Sequence, residues 1–275
     1  MARHAVDAAS FRALADFIRA RSGILLEDSK SYLVETRLGP LLEELSIGSY
    51  AELTRSAARD RHVLNRMIDE ISTNETSFFR DRLPFDLLKF RLIPALVDRQ
   101  RGAQDRITVW SAASSTGQEV YSIAIACHDI LGSAATRRVR IVGTDISDGA
   151  IRRASYGAYT RYELERGLDE GLRERYFHRD GERWRVNDPL RAMATFRHLN
   201  LLDPLTGLGS FDIVFCRNVA IYFDTSTRRR LFERIAAQLR PGGALVIGSA
   251  ESLHGITDRY ERREHMRCVY YVPHH

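Results

Sequence analysis

Over the first eighty residues, apolar positions recur at intervals of three and four. Phe11, Leu14, Phe17 and Ile18 mark one side of a helix that Ser10 can cap and that stops at Gly23. Ser29 can cap a second helix, 30–45, with an interruption at Gly39-Pro40. Ser49 with Glu52 three residues on is a capping-box pattern, and Asp60 opens a segment with Val63, Leu64, Met67, Ile68 and Ile71 at helical spacing. After a linking helix near 83–99, short apolar runs (107–113, 139–146, 193–201, 211–219, 244–250 and 266–272) alternate with helical segments at 118–131, 147–155 and 225–239. Strand alternating with helix predicts a parallel, doubly wound α/β sheet covered on both faces. Asp180-Gly181, between two short extended runs, is a hairpin signal and predicts a small antiparallel β appendage at about 175–197. The predicted division is an all-helical N-terminal domain over 1–80, a linker helix over 81–100, and an α/β domain over 101–275.

Composition narrows the class. The 275 residues, 44% hydrophobic and 28% charged, have the balance of a folded globular protein and exclude wholesale disorder. No stretch approaches the roughly 18 apolar residues of a membrane span. The N-terminus mixes charge with apolar residues and has no secretory apolar core, so the expected location is cytoplasmic, without membrane insertion. Cys127, Cys216 and Cys268 are odd in number, far apart and outside any CxxC pair, which argues against a disulfide framework and a cysteine metal site; no metal is expected. The formal charge is +5, and only Lys30 and Lys89 among 41 basic residues are lysines. Residues 1–80 carry 11 basic and 12 acidic side chains, so the excess lies in the α/β part, spread out and without a polybasic tail. Nucleic-acid binding is not demanded; an anionic protein surface or small molecule would serve equally.

The candidate chemistry sits at strand ends. The first strand runs through Trp110-Ser-Ala-Ala-Ser-Ser-Thr-Gly117 into a helix, and small residues at such a turn let a ligand approach the backbone. The pattern is not GxGxxG, so a dinucleotide site is weakly supported. Glu119, in the first turn of that helix, is either a helix-dipole carboxylate or an acceptor for a cationic ligand group. Asp145 closes the second strand, where a carboxylate can take both ribose hydroxyls or serve as a helix N-terminal acid; the combination favours a nucleoside ligand. Asn218, followed by Val219 and Tyr222, ends the strand at 211–219 and is either a turn residue or a crevice group. This segment has no proline, which argues against the Asn/Asp-Pro-Pro-aromatic stretch of nucleic-acid amino-methyltransferases. Ser72 to Asp81 sets Asn74, Thr76 and Arg80 around Phe78-Phe79 where the two domains join. It is either a capped turn with a hydrophobic plug or a lid in which Arg80 grips a carboxylate.

Together, STNETSFFRD (72–81), VWSAASSTGQEVYSIA (109–124), GTDIS (143–147), FRHLNLLDP (196–204) and FDIVFCRNVAIYFD (211–224) resemble the chemotaxis receptor glutamate methyltransferases, the CheR-type family, over nearly the whole chain. The resemblance implies a helical domain joined to a class I (Rossmann-like) methyltransferase domain. It implies transfer of methyl from S-adenosylmethionine to glutamates on chemoreceptor signalling helices, leaving S-adenosylhomocysteine. It also implies cofactor contacts from Asn74, Thr76, Arg80, Glu119, Asp145, Asn200, Leu201, Asn218 and Val219. Arg80 would meet the methionine carboxylate, Asp145 the ribose, and Tyr222 the transferred methyl; Arg80 and Tyr222 are the candidate catalytic pair. Val120 stands where the family often has proline, and Ala220 where a larger apolar residue is common.

An exposed glutamate, with a reference pKa near ~4.3, is ionised at neutral pH and needs no general base, so alignment and water exclusion carry the reaction. Receptor helices are the expected partner, docked through the helix at 30–45 or a basic stripe of Arg37, Arg55, Arg59, Arg61 and Arg66. The loop at 179–182 is short where peptide-docking family members have a longer glycine-rich one, which argues against peptide tethering. A monomer is expected. Two other readings stay open: a class I methyltransferase for another carboxylate, and a non-catalytic S-adenosylmethionine-binding regulator.

Overall fold

The computed structural model describes residues 5–99 and 105–274; the expected domain limit at 100/101 lies outside the described residues. Four helices form the N-terminal domain: α1 (Ala8–Ser22), α2 (Ser31–Glu44), α3 (Tyr50–Arg59) and α4 (Arg61–Ile71). Leu14, Ile18, Leu38, Leu53 and Met67 meet in its core. The start of α1 differs from the expectation. Asp7, not Ser10, is the N-cap, because its carboxylate accepts from the Ala9 and Ser10 N–H groups at the positive end of the helix. Helix α2 follows a single 3-10 turn, Asp28–Lys30, has no side-chain cap, and runs unbroken through Pro40. An interior proline costs about 3 kcal/mol, but Leu38, Leu41 and Leu42, all buried beside it, contribute about 1.5–3 kcal/mol each and hold both halves. Ser49 caps α3 by accepting from Glu52 N–H, while the Glu52 carboxylate accepts from Gly48 N–H.

The strands are β1 (Ile107–Ala112), β2 (Val139–Asp145), β3 (Ala158–Tyr159), β4 (Phe177–Asp180), β5 (Arg183–Val186), β6 (Ala194–His198), β7 (Phe211–Cys216), β8 (Leu239–Ile247), β9 (Tyr260–His265) and β10 (Cys268–Pro273). Seven of them form one sheet in the order β6-β2-β1-β7-β8-β10-β9. The first five in that order are parallel, but β10 lies antiparallel to β8 and β9 antiparallel to β10, so the sheet is mixed rather than wholly parallel. Strand β9 escaped the sequence pattern because it is a solvated edge, YERREH, whose charges blunt further pairing. The appendage is a three-stranded sheet, β3-β5-β4, spanning 158–186 rather than 175–197. Its two-residue β3 is too short to show alternation, and the run at 194–198 joins β2 in the main sheet.

Strand order reverses beside β1, which has β2 on one side and β7 on the other; this switch point opens a crevice at the strands' carboxyl ends. Gly117, at φ +96°, lets the β1 turn lie against the helix Asp148–Tyr156 that follows β2, since a Cβ there would sit 2.9 Å from the Ala154 Cβ. The helical domain is bonded across the same end. Arg19 meets Asp224 at 2.6 Å, Asn200 Nδ2 donates to the Arg21 carbonyl at 2.7 Å, and Leu25 N–H donates to the Tyr222 carbonyl at 3.0 Å.

Asp224 also caps the helix Thr225–Gln238 by accepting from Thr227 N–H. That bond and the Arg19 guanidinium hold its carboxyl well below the usual carboxylate range. Because the folded value is depressed, the stabilisation is complete above the unfolded value near ~3.9 and is lost as pH falls through the lower folded value. Asp224→Ala is expected to cost about 1–2 kcal/mol in urea unfolding at neutral pH. The gap to wild type should stay constant down to about pH 4 and narrow below it.

Candidate active site

A cleft of about 920 Å³, partly open to solvent, lies at the carboxyl ends of β1, β2 and β7. Asn74, Thr76, Arg80, Glu119, Asp145, Asn200, Leu201, Asn218, Val219 and Tyr222 all line it. The segment 72–82 crosses it as a strap. Its Phe78 is a buried plug set edge-on to Tyr159 and Phe177 at 5.0 and 5.5 Å, while Asn74 offers its carbonyl to Ser115 Oγ at 3.2 Å.

Asp145 is 6% exposed. Its two carboxylate oxygens accept from Ser115 N–H at 2.8 Å and Ser147 N–H at 2.9 Å. Burial pushes its carboxyl up, and these two N–H groups pull it back. A carboxylate has about four lone-pair sites, so two remain for a neighbouring diol. Glu119 is not free: Ser111 Oγ donates to Oε1 at 2.8 Å and Arg217 to Oε2 at 2.9 Å. Asn218 stands at φ +57°, tolerable for asparagine, with its N–H on Glu251 Oε2 at 2.7 Å. Arg80 folds over its own strap, donating to the Glu75 carbonyl at 3.0 Å. Tyr222 is half-buried at the rim.

Some groups differ from their sequence reading or were not singled out. Asn200 spends its amide on Arg21 of the helical domain and accepts from Leu202 N–H with its oxygen, which leaves Leu199, Leu201 and Ile146 as the apolar wall on that side. Arg37 bonds the Ile71 and Ser72 carbonyls and Thr73 Oγ1, and Arg66 pairs with Glu44, so two of the five arginines of the expected basic stripe are already engaged. Arg217 was missed, although a lone arginine inside the apolar run FDIVFC–NV must find partners if buried. Ser114 was missed too; its buried hydroxyl has no partner among the described residues and lines the cleft. Among the described residues, nine non-glycines have positive φ, and six of them (Phe79, Asp81, Arg82, Ala113, Ser115 and Asn218) lie at the strap, the β1 turn and the end of β7. Strain is thus concentrated where these three segments meet, as at functional sites generally.

This donor set fits an S-adenosyl compound: a buried and a part-buried carboxylate for hydroxyls and an ammonium, a guanidinium for a carboxylate, an apolar wall for a base, and an unpartnered serine hydroxyl. The comparisons agree. The family model described as the all-alpha domain of CheR methyltransferase matches residues 9–72, and its SAM binding domain matches residues 74–269. Chemotaxis protein methyltransferase 1 of Pseudomonas aeruginosa is 40% identical over 259 residues, 92% of this chain and 93% of that protein. Chemotaxis protein methyltransferase Cher2 of Pseudomonas putida is 40% identical over 251 residues, covering 89% and 90%. The chemotaxis protein methyltransferase of Vibrio parahaemolyticus is 38% identical over 266 residues, covering 94% and 93%. Fold and cleft therefore define a class I methyltransferase that uses S-adenosylmethionine. The chain belongs to the CheR methyltransferase family.

Proposed function

We propose that this protein methylates glutamate side chains on chemoreceptor signalling helices, yielding methyl esters and S-adenosylhomocysteine. One observation carries the choice of acceptor: the residues lining the cleft include no histidine, cysteine or lysine. Of the three lining carboxylates, Asp145 and Glu119 are held by hydrogen bonds and Glu75, largely exposed, pairs with Arg166 at 3.4 Å. A nitrogen or hydroxyl acceptor would need a base to take its proton, whereas a glutamate arrives ionised. The relatives' shared name, chemotaxis protein methyltransferase, supports the receptor as substrate.

Bound S-adenosylmethionine supplies an electrophilic sulfonium methyl that a carboxylate oxygen takes directly. The chain binds, orients and keeps out water. Asp145 holds the ribose; Glu119 meets the amino group; Asn74, Thr76, Asn218 and Val219 complete the cofactor contacts; Asn200 and Leu201 flank the adenine. Arg80 grips the cofactor's own carboxylate, because a guanidinium on the attacking carboxylate would hold back its electrons. Tyr222 orients the methyl or the acceptor. The protein acts as a cytoplasmic monomer, and among the described residues no helix is long and apolar enough to cross a membrane. The receptor docks on α2, whose Tyr32 is 60% exposed. The short β4–β5 connection, Gly181-Glu182, argues against peptide tethering.

Tritiated methyl from S-adenosylmethionine is expected to appear on a receptor fragment in base-labile form. Base-stable label would mean another acceptor, and binding without transfer would mean a regulator. Arg80→Ala should weaken S-adenosylhomocysteine binding by about 10–100-fold, the scale of a charge-assisted hydrogen-bond pair. Tyr222→Phe should slow the single-turnover step with affinity kept. Calorimetry and rapid quench separate the two; the reverse assignment of losses would contradict both roles.

A further inference from the structure

Arg217 is 6% exposed, and both terminal nitrogens of its guanidinium are bonded to groups of the strap and of the cleft wall. It donates to Glu119 Oε2 at 2.9 Å, to Asp81 Oδ2 at 2.7 Å and to the Arg80 carbonyl at 2.8 Å. We propose that Arg217 is a positioning residue for cofactor binding, clasping the strap 72–82 to the sheet so that Arg80 and Glu119 face the amino-acid end of S-adenosylmethionine. The proposal rests on the cofactor part of the reading above and not on the acceptor.

Three observations support it. First, a buried guanidinium stays charged, and well-packed apolar residues commonly replace a buried ion cluster without loss of stability, so stability alone does not explain it. Second, the strap's anchors at Asn74 on Ser115, the Phe78 plug and Phe79 N–H on Ser122 Oγ at 2.9 Å precede Arg80, and after it Asp81 has, besides Arg217, only a long 3.4 Å bond from Ser249 Oγ. Arg80 lies between Phe79 and Asp81, at φ +48° and +67°, and such left-handed residues persist only where surrounding bonds over-determine them. Arg217 supplies those bonds on the far side of Arg80. Third, one guanidinium joins two carboxylates from separate segments, Asp81 on the strap and Glu119 on the helix that follows β1. Lysine, a compact point charge, cannot reproduce the planar fork that spans all three acceptors.

The test uses the full chain with S-adenosylhomocysteine as probe. Arg217→Lys and Asp81→Asn are each expected to lower affinity tenfold or more by calorimetry. Both should speed amide hydrogen exchange of 74–82 in ligand-free protein. The double variant should bind no more weakly than the worse single, because the two residues act through one clasp. Asp81 is one-third exposed by side chain, so Asp81→Asn keeps the test alive if Arg217→Lys does not fold. Lower stability with unchanged affinity would overturn the proposal, leaving a structural ion pair. Lost affinity with unchanged strap exchange would overturn it too, since Arg217 would then act on the ligand directly. None of these readouts involves an acceptor, so a wrong acceptor would leave them untouched.

Discussion

Charge buried at the carboxyl ends of a sheet must be answered by something, and at this site the answer fixes the backbone. Asp145 takes its partners from the Ser115 and Ser147 N–H groups, which requires the β1 turn to enter the left-handed region at Ala113 and Ser115. Arg217 takes its partners from Glu119, Asp81 and the Arg80 carbonyl, which draws the strap against β7. Each strained residue sits beside a polar bond that compensates it. The cleft is preformed because its own charges demand that shape.

The helical domain shares in this construction. Ser22 and Ile24 line the cleft, Arg37 secures the start of the strap, and Asn200 reaches back to Arg21. A receptor pressing on α2 would therefore press on an element one side chain away from the cofactor cleft. Gly23, whose Cβ would lie 2.9 Å from the Phe223 ring, marks how closely the α1 terminus approaches the residues around Tyr222.

Much of the site was legible because the features that build it are local. A strand ending in Asp145, a small-residue turn before Glu119, and Asn218 after an apolar run are all written in consecutive residues. The helical and α/β halves were legible from periodicity alone. Where the sequence was silent, the cause lies in tertiary context. Arg217 meets Glu119 and Asp81 across separations of 98 and 136 residues, so no spacing announces the clasp. Asn200 lines the cleft, as the family resemblance implies, but its amide also bonds Arg21, 179 residues away. Burial carried α2 through Pro40, and exposure hid β9 among charges.

A cleft lined by no histidine, cysteine or lysine is suited to a nucleophile that is already anionic. The most direct measurement is the single-turnover rate of methyl transfer to a receptor fragment, with cofactor prebound, across about pH 6 to 9. A flat profile is expected, because the acceptor carboxylate is fully ionised over that range. A rate rising tenfold per pH unit would reveal a proton that must leave before attack and would contradict a carboxylate acceptor.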